Sequence, residues 1–450
     1  MTTVPAEAAR RVPDVPAARV VDPAVVAELP PGTTVRGLAP HGSSFWTRTA
    51  RLDAERDGVG VAYFLKTATG ALGCAMMESE FRCTRRLRRA AGATDPAGVA
   101  LVPEPIAWGT YVGSSGGTGS SSRSEEEGKG EHRNRSQARG QEDETHFLLC
   151  EFRPLTGEVP AAAPFAARIA ALHRAGAAKG SSGGEREGVG ESRRGRFGSD
   201  IPTFHGNVHV DHGWSDSWEE YFARTTRVLL EMERAARGSD DEIERLAPLF
   251  FAKVVPRLLR PLETCGHVLR PTLVHGDLWD GNAGVDARTG APVVFDAASF
   301  YAHNEYDLGV WRQPWNKLNA PYRAEYLKHF PASPPEADFD DRNLLYATQE
   351  ACWFTRVLSY VMPGLFVSYA LPVPRIRYVQ AGIQQLTHCS RVNILDSILY
   401  KDDPSYRTML IAGMRALVDK FPSGFDAWET ERDRGTRPDP AEGILQGGLR

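Results

Sequence analysis

The sequence has no long apolar run, no closely spaced cysteine pair and no excess of positive charge. No apolar run reaches the roughly 18 residues of a membrane-spanning helix, and the N-terminus lacks a charged-then-apolar signal pattern. Six cysteines in 450 residues form no dense disulfide framework. The formal net charge is -4, whereas a dedicated nucleic-acid binder is normally basic. We therefore expect a cytoplasmic protein in a reducing compartment that binds neither nucleic acid nor membrane.

Two segments lack the side chains that build a core. Residues 113–144 contain no Val, Ile, Leu, Met, Phe, Tyr, Trp or Cys, and residues 180–196 contain only Val189 among these types. Such segments bury too little apolar surface to offset the entropy that ordering them would cost. We predict that both are disordered surface insertions.

The remaining pattern divides into a β-rich first part and a helix-rich second part. In the first part we predict one helix at Ala75–Ala91 and five strands, which are Thr33–Leu38, Trp46–Leu52, Val61–Lys66, Ile106–Val112 and His146–Phe152. In the second we predict short strands at Thr272–Val274 and Pro292–Phe295 and five helices, which are Ala163–Ala175, Trp218–Arg234, Asp241–Thr264, Asp341–Val361 and Val379–Leu399. This order predicts an α+β fold with two lobes.

The predicted organisation has four parts. A flexible arm covers residues 1–30, and an N-lobe with one helix covers 31–152. A mainly α-helical C-lobe covers 153–430, and a tail covers 431–450. The inserts 113–144 and 180–196 interrupt the N-lobe and the C-lobe, respectively.

The strongest chemical signal is the octapeptide HGDLWDGN at 275–282, followed by VVFD at 293–296. Asp277 and Asn282 have the D-x-x-x-x-N spacing of a phosphotransfer catalytic loop. Phosphoryl transfer needs a carboxylate beside the attacking hydroxyl and oxygen ligands for magnesium. Mg²⁺ prefers carboxylate and amide oxygens together with phosphates and water, which suits Asn282 and Asp296. An Asp-Gly-Asn turn alone would only cap backbone groups, but the preceding His-Gly and the strand-end Asp favour a catalytic loop.

These residues resemble the fructosamine/ketosamine-3-kinase family, within the protein-kinase-like phosphotransferases, and fungal-type members look most similar. Trp279 after HGDL distinguishes this family from the aminoglycoside and choline kinase branches. The resemblance extends to further segments, which are VPEPIAWG at 102–109, LHR at 172–174, SWEEYFAR at 217–224 and FDAASFYAHNEYDL at 295–308. It implies the protein-kinase-like two-lobed fold.

The resemblance also implies roles for single residues. Asp277 would be the catalytic residue, and Asn282 and Asp296 would hold Mg²⁺. Lys66 would hold the ATP phosphates with Glu80 as its ion-pair partner. The remaining implied ATP contacts are a phosphate-covering loop and an inter-lobe hinge, which comprise Gly42, Ser43, Ser44, Glu151, Phe152 and Arg153.

On the acceptor side the resemblance points to Trp279, His303 and Glu305 as substrate residues. Trp279 either stacks on the sugar or belongs to the core. This chain has Asn304 where the family usually has Arg and Ala297 where it has Pro. These two departures fall on the acceptor pocket and leave the catalytic positions unchanged.

The resemblance implies an ATP-dependent kinase that phosphorylates the sugar 3-hydroxyl of ribulosamines or fructosamines on glycated protein lysines, which leads to deglycation. Two alternatives stay open at this point. One is an aminoglycoside- or choline-type small-molecule phosphotransferase, and the other is a catalytically silent kinase-like interaction protein.

Two further patterns need an interpretation. The segment HGNVHVDH at 205–212 has metal-like histidine spacings, but Gly206 and the alternation favour an acceptor-side loop or plain surface over structural zinc. The basic run RRLRR at 85–89 could indicate nucleic-acid binding. Its place on the Glu80 helix favours a solvated helix face.

Overall fold

The structure is a computed structural model that describes residues 21–42, 44, 46–92, 99–112, 144–177, 195–264, 266–348, 394–399 and 401–436. The chain forms two compact units. Unit 1 comprises 1–177, 199–213 and 273–301, and unit 2 comprises 178–198, 214–272 and 302–450. Unit 1 carries the large sheet, and unit 2 is mainly helical.

An antiparallel five-stranded sheet forms the centre of unit 1, in the order β1-β2-β3-β5-β4. The predicted strands are all present, each lengthened or shifted by a few residues: β1 Thr33–Pro40, β2 Arg48–Arg56, β3 Val59–Thr69, β4 Pro105–Val112 and β5 Glu144–Glu151. β3 and β5 pair with Lys66 opposite Leu148. The neighbouring row, Leu65 opposite Leu149, is buried in the core of the other face. A slip of one residue would exchange the side chains of the two faces, which fixes the register.

The two faces of the sheet have separate cores. Tyr63 and Leu65 face one core, and Ala68 faces the other. Side chains alternate along a strand, so Lys66 shares the second face with Ala68. That second face is covered by helix α2, Gly70–Gly92. The alternation therefore places a lysine under the helix that carries Glu80.

The first face is covered by the end of the predicted flexible arm. Helix α1, Pro23–Ala27, begins at Asp22, whose carboxylate accepts a hydrogen bond from the Ala24 N–H. Val21, Val25 and Leu29 are buried against the sheet. Residues 21–30 thus pack on the sheet through these three side chains, which differs from the loose arm that we predicted. Residues 1–20 lie outside the described residues.

The basic run on α2 is mostly paired within unit 1. Arg86 Nη2 lies 2.8 Å from Asp200 Oδ1, and Arg88 Nη2 lies 3.0 Å from Glu104 Oε2. Arg85 and Arg89 are exposed. The predicted solvated face is therefore limited to those two arginines.

The rest of unit 1 is built from helix α3, Ala162–Gly176, and two antiparallel hairpins. One hairpin pairs β7, Thr203–His205, with β8, Val208–Val210. The other pairs β11, Ala283–Val285, with β12, Pro292–Val294. The chain also has four short strands, which are β6 Phe197–Ser199, β9 Gly213–Ser215, β10 Thr272–Val274 and β13 Phe300–Ala302.

Helices make up most of unit 2. They are α4 Trp218–Arg237, α5 Asp241–Leu249, α6 Val255–Leu259, α7 Ala320–His329, α8 Phe339–Ala347, α9 Ile394–Leu399, α10 Pro404–Lys420 and α11 Gly424–Thr436. A π-helical turn at Phe250–Val254 joins α5 to α6, and Pro256 stands in the first turn of α6, a position that tolerates proline. The predicted helix at 241–264 is therefore one interrupted run.

The SWEEYF segment starts α4 and supplies the core of unit 2. Ser217 caps the helix by accepting a hydrogen bond from the Glu220 N–H. Trp218 is fully buried, and its Nε1–H donates to the Tyr346 hydroxyl at 2.9 Å. The Trp218 N–H donates to the Glu263 carboxylate. The segment that we associated with the family by sequence is thus a helix start and a core residue.

Several predictions fall partly outside the described residues. The insert 113–144 is described only at Glu144, and the insert 180–196 only at Gly195 and Arg196. The predicted helices Asp341–Val361 and Val379–Leu399 are described only at 341–348 and 394–399. The tail 431–450 is described to residue 436, as the end of α11.

Candidate active site

Lys66 lies between two carboxylates in unit 1. Its Nζ is 2.7 Å from Glu80 Oε2 and 3.4 Å from Asp296 Oδ1. Lys66 is 8% exposed. Burial alone lowers the pKa of Lys66, but the charges of Asp296 and Glu80 outweigh burial and raise that pKa above its ordinary value. The lysine is therefore a fixed cation.

The two carboxylates on Lys66 are not equivalent. Burial and the neighbouring Asp296 raise the pKa of Glu80, although the Lys66 charge opposes this. Burial also acts to raise the pKa of Asp296, but the Lys66 charge and hydrogen bonds from Glu80 and Lys66 lower it overall. Asp296 is consequently the carboxylate that carries negative charge most readily, as a cation ligand must.

A hairpin brings Asp296 next to Asn282. Asn282 directly precedes β11 and Asp296 follows β12 by two residues, so both lie at the open end of the β11–β12 hairpin. The Phe295 N–H donates to the Asn282 carbonyl at 3.1 Å. Asp296 has φ +56°, a left-handed conformation that is uncommon for residues other than glycine and concentrates at functional sites.

The dipeptide His275-Gly276, which precedes Asp277, is held by the backbone of residues 295–298. The His275 carbonyl accepts from the Ala298 N–H at 3.0 Å, and His275 Nε2 lies 3.0 Å from the Phe295 carbonyl oxygen. Gly276 has φ +82°, and a Cβ there would lie 2.1 Å from the Ala298 carbonyl oxygen. Only glycine fits, which explains its position directly before Asp277.

Asn282 closes the loop onto Asp277. Its Nδ2 donates to Asp277 Oδ2 at 2.8 Å and to the Asp277 carbonyl at 2.9 Å. The Asp277 side chain is 23% exposed. The five-residue spacing therefore fixes one oxygen of a partly exposed carboxylate.

The donor set fits a magnesium ion. Both hydrogens of the Asn282 amide nitrogen are used on Asp277, which leaves the amide oxygen as its ligand atom. Asp296 supplies an ionised carboxylate at the same end of the hairpin. Among the described residues no group of three His, Cys, Asp or Glu side chains is arranged to hold a metal ion. Two protein oxygens with phosphates and water are the coordination that Mg²⁺ accepts.

His205 is a neighbour of Asp277 that sequence reasoning did not assign to the active site. Its Nδ1 lies 3.8 Å from Asp277 Oδ1. His205 ends β7, where the two-residue turn Gly206-Asn207 leads into β8. The sequence favours an acceptor-side loop or plain surface for 205–212 over a zinc site, but the histidine spacing there does not single out His205 or its contact with Asp277.

The predicted phosphate-covering loop is described in part. Gly42 has φ +77°, and Ser44 Oγ accepts hydrogen bonds from the Trp46 and Thr47 N–H groups at 3.3 and 3.2 Å. Ser44 thus shapes the turn between β1 and β2. Ser43 lies outside the described residues.

The predicted hinge follows β5. The Glu151 N–H donates to the Glu104 carbonyl, and the Phe152 N–H donates to the Ala62 carbonyl. The Phe152 ring lies 4.8 Å from the ring of His41. The Arg153 guanidinium binds Glu151 at 2.9 Å and Asp286 at 3.1 Å. Two hinge N–H groups are therefore already used within unit 1.

The three predicted substrate residues occupy different surroundings. Trp279 is 8% exposed, and its ring covers Gly281, where a Cβ would lie 2.0 Å from the indole. His303 is fully buried in unit 2 between Tyr346 and Ser333. Glu305 is 1% exposed, and its two oxygens accept from Arg342 at 2.8 and 2.9 Å. The structure thus places His303 and Glu305 in a buried hydrogen-bond network, and their contact with substrate stays a prediction.

The fructosamine kinase family matches this chain over residues 57–350, so the chain belongs to that family. This confirms the predicted resemblance and the kinase-like class of phosphotransferase.

Two curated relatives agree with this membership. The chain is 33% identical over 169 residues to a mouse ketosamine-3-kinase, covering 37% of this chain and 49% of that protein. It is 26% identical over 210 residues to an Arabidopsis thaliana chloroplastic protein-ribulosamine 3-kinase, covering 44% of this chain and 53% of that protein. The chain spans about half the length of the curated relatives it matches.

The fold has a solved counterpart. A crystal structure described as a fructosamine-3-kinase from Thermobifida fusca aligns with a TM-score of 0.52 at 18% identity, covering 88% of this chain and 98% of that chain. This likeness confirms the predicted α+β kinase-like fold. Among the described residues no helix combines the length and the apolar character needed to cross a membrane.

Proposed function

We propose that this protein is an ATP-dependent ketosamine 3-kinase that phosphorylates the sugar 3-hydroxyl of ribulosamines or fructosamines on protein lysines. The observation that carries the proposal is the convergence, in unit 1, of the pairs Lys66–Glu80 and Asp277–Asn282 with Asp296. Family membership supports the same chemistry. The phosphorylated product would then decompose and release the amine, so the activity would repair glycated protein.

The proposed reaction joins the acceptor oxygen to the γ-phosphorus of ATP and breaks the bond between that phosphorus and the β–γ bridging oxygen, which leaves with ADP. Asp277 orients the acceptor hydroxyl and accepts its proton. Asn282 assists by fixing the carboxylate through Oδ2. Most of the rate enhancement in such a site comes from positioning and charge neutralisation.

Lys66 binds the ATP phosphates, and Glu80 holds the lysine in place. Asn282 and Asp296 would hold Mg²⁺, which when bound neutralises charge on the phosphates. The hinge binds adenine through its backbone. Since the N–H groups of Glu151 and Phe152 are used internally and Pro154 has none, Arg153 supplies the N–H for that contact.

The acceptor decides between the family activity and its alternatives. ATP consumption is measured side by side with ribulosamine-modified lysine, fructosamine-modified lysine, an aminoglycoside and choline. We expect turnover with one or both ketosamines and a product phosphorylated at the 3-hydroxyl. Turnover restricted to the aminoglycoside or choline would reassign the acceptor, and binding of Mg·ATP without any turnover would favour a silent kinase-like protein.

Two variants test the catalytic assignment. Asp277→Asn should lower turnover by about 10²- to 10⁴-fold with the fold retained. Asp211→Asn is the matched control, because Asp211 is an exposed carboxylate of unit 1, and it should keep normal turnover. Near-normal phosphorylation of a ketosamine by Asp277→Asn contradicts the proposal.

A further inference from the structure

His205 is a buried imidazole beside the catalytic carboxylate. It is 7% exposed, and its Nδ1 lies 3.8 Å from Asp277 Oδ1. The hydrogen bonds of the described residues do not engage the His205 ring, although those of the neighbouring histidine His212 do. A polar ring with this burial normally has a hydrogen-bond partner. A bound ligand can supply that partner to His205.

The hairpin explains why this ring faces Asp277. Thr203 and His205 lie on the same side of β7, because side chains alternate along a strand. Thr203 is buried against His212 at 2.8 Å, which turns this side toward the interior of unit 1. Phe204 lies on the other side and contacts His209 with ring centroids 5.3 Å apart. The orientation of His205 is therefore set by the hairpin.

The separation of the two groups suits one hydroxyl. Hydrogen bonds of about 2.8 Å from one oxygen reach both members of a pair that is 3.8 Å apart. Asn282 binds the other Asp277 oxygen, Oδ2. The carboxylate is therefore held through Oδ2, while Oδ1 is the oxygen that faces His205.

We propose that His205 and Asp277 together bind the acceptor hydroxyl, which donates its proton to Asp277 Oδ1 and accepts a hydrogen bond from His205 Nδ1–H. This inference rests on the proposed function. The two contacts fix the hydroxyl so that its remaining lone pair is available to the γ-phosphorus. His205 gives up no proton: the proton of the hydroxyl goes to Asp277, and the bonds made and broken are those of the kinase reaction.

The charge state of His205 is compatible with this role. Burial, and secondarily the charge of His275, lower the pKa of His205 to about 4. At neutral pH the ring therefore has one N–H donor and one acceptor nitrogen. A neutral donor leaves the affinity of Asp277 for the proton undiminished, whereas an imidazolium would reduce it.

Two substitutions separate the hydrogen bond from packing. Asn places an amide nitrogen near the position of the imidazole Nδ1, and Leu fills similar volume without a donor. His205→Leu should lower kcat/KM for the ketosamine by roughly ten- to a hundredfold, with KM for ATP changed less than about twofold. His205→Asn should recover most of that loss. His209→Leu, on the exposed side of the same hairpin, should behave as wild type.

A 3-deoxy ketosamine distinguishes contact with the hydroxyl from a structural role. It lacks the 3-hydroxyl, so its inhibition constant should be the same for wild type and His205→Leu. Equal weakening of the deoxy analogue and the normal acceptor, or no effect on either, overturns the inference. If His205→Leu does not fold by circular dichroism, His205→Asn and His205→Gln are compared instead, and equal activity of these two overturns it. Absence of ketosamine turnover by the wild type is a separate result that rejects the proposed function.

Discussion

Arg153 Nη1 lies 3.1 Å from Asp286 Oδ2, and this ion pair joins the hinge to the β11–β12 hairpin. Backbone hydrogen bonds extend the contact, because the Ala287 N–H donates to the Pro154 carbonyl at 2.7 Å and the Thr156 N–H donates to the Val285 carbonyl at 3.0 Å. The hairpin is the element that ends in Asn282 and Asp296. These contacts therefore fix the position of the segment that would bind adenine relative to the residues that would bind magnesium.

Breaking this ion pair should affect ATP more than the acceptor. Arg153→Met removes the contact and leaves the fully buried Asp286 with the exposed Arg288, 3.7 Å away, as its remaining guanidinium partner. We expect KM for ATP to rise by about tenfold, KM for the ketosamine to change little, and unfolding to occur at a lower temperature. Steady-state kinetics with each substrate varied in turn, together with thermal unfolding, measure this.

Arg36→Met is the control for the loss of an arginine, because its ion pair with Glu55 is exposed. It should change neither KM value. If Arg153→Met raised both KM values equally, the pair would support the whole site rather than the alignment of ATP.

Gly276 and Gly58 form a matched pair of left-handed glycines. Their φ angles are +82° and +78°, but a Cβ on Gly276 would lie 2.1 Å from the Ala298 carbonyl oxygen, whereas nothing lies within 4 Å of a Cβ on Gly58. Gly58→Ala should cost about 1 kcal/mol of unfolding free energy from backbone strain alone. Gly276→Ala should cost more than Gly58→Ala and should abolish most of the activity, because the Asp277 loop must move.

Chemical denaturation and turnover of both glycine variants test this prediction. Equal losses of unfolding free energy with full activity in Gly276→Ala would mean that the contact between Gly276 and Ala298 does not hold the loop. A larger loss in Gly276→Ala than in Gly58→Ala, with activity lost only in Gly276→Ala, would confirm that the steric contact requires the glycine in addition to the backbone angle.

Part of this site could be predicted from the sequence because it is local. Asp277 and Asn282 share one loop, and the intervening apolar segments of a hairpin bring Asp296 to them. The contact of Lys66 with Asp296 spans 230 residues, and only the family resemblance indicated it. The alternation of β3 explains the other contact of Lys66, because it places the lysine on the face that is covered by the helix carrying Glu80.

The remaining features depend on tertiary placement. The 205–212 pattern favoured an acceptor-side loop or plain surface over a metal site, but it did not indicate that the β7–β8 hairpin turns His205 toward Asp277. Val21, Val25 and Leu29 have helical spacing, but the Ala- and Pro-rich composition around them favoured a loose arm. His303 and Glu305 resemble site residues in sequence, and the structure buries both side chains. Periodicity records which residues are buried, but it does not specify their partners.

Glu305 and Arg342 form a fully buried ion pair in unit 2, with oxygen–nitrogen distances of 2.8 and 2.9 Å. Removing one partner leaves an uncompensated buried charge, so Arg342→Met should lower the free energy of unfolding by about 3–5 kcal/mol. Glu55→Gln, in the exposed pair with Arg36, should lower it by less than about 1 kcal/mol.

Kinetics of Glu305→Gln decide between a structural and a substrate role for this residue. We expect a lower unfolding temperature and, below that temperature, an unchanged KM for the ketosamine. A large rise in KM with normal stability would instead support the substrate contact that the family resemblance implied for His303 and Glu305.

His205 should make stability depend on pH in a definite direction. Its pKa is about 4 in the folded protein and about 6.5 in an unfolded chain, so the unfolded state binds more protons between these values and stability falls as the pH drops through this window. From pH 7.5 to pH 5 the contribution of His205 should fall by roughly 2 kcal/mol. His205→Asn cannot titrate and lacks this term, while all other groups titrate as in wild type. Denaturant unfolding of both proteins at the two pH values measures the difference directly. A stability difference between wild type and His205→Asn that stays constant with pH would show that the imidazole is not held neutral beside Asp277.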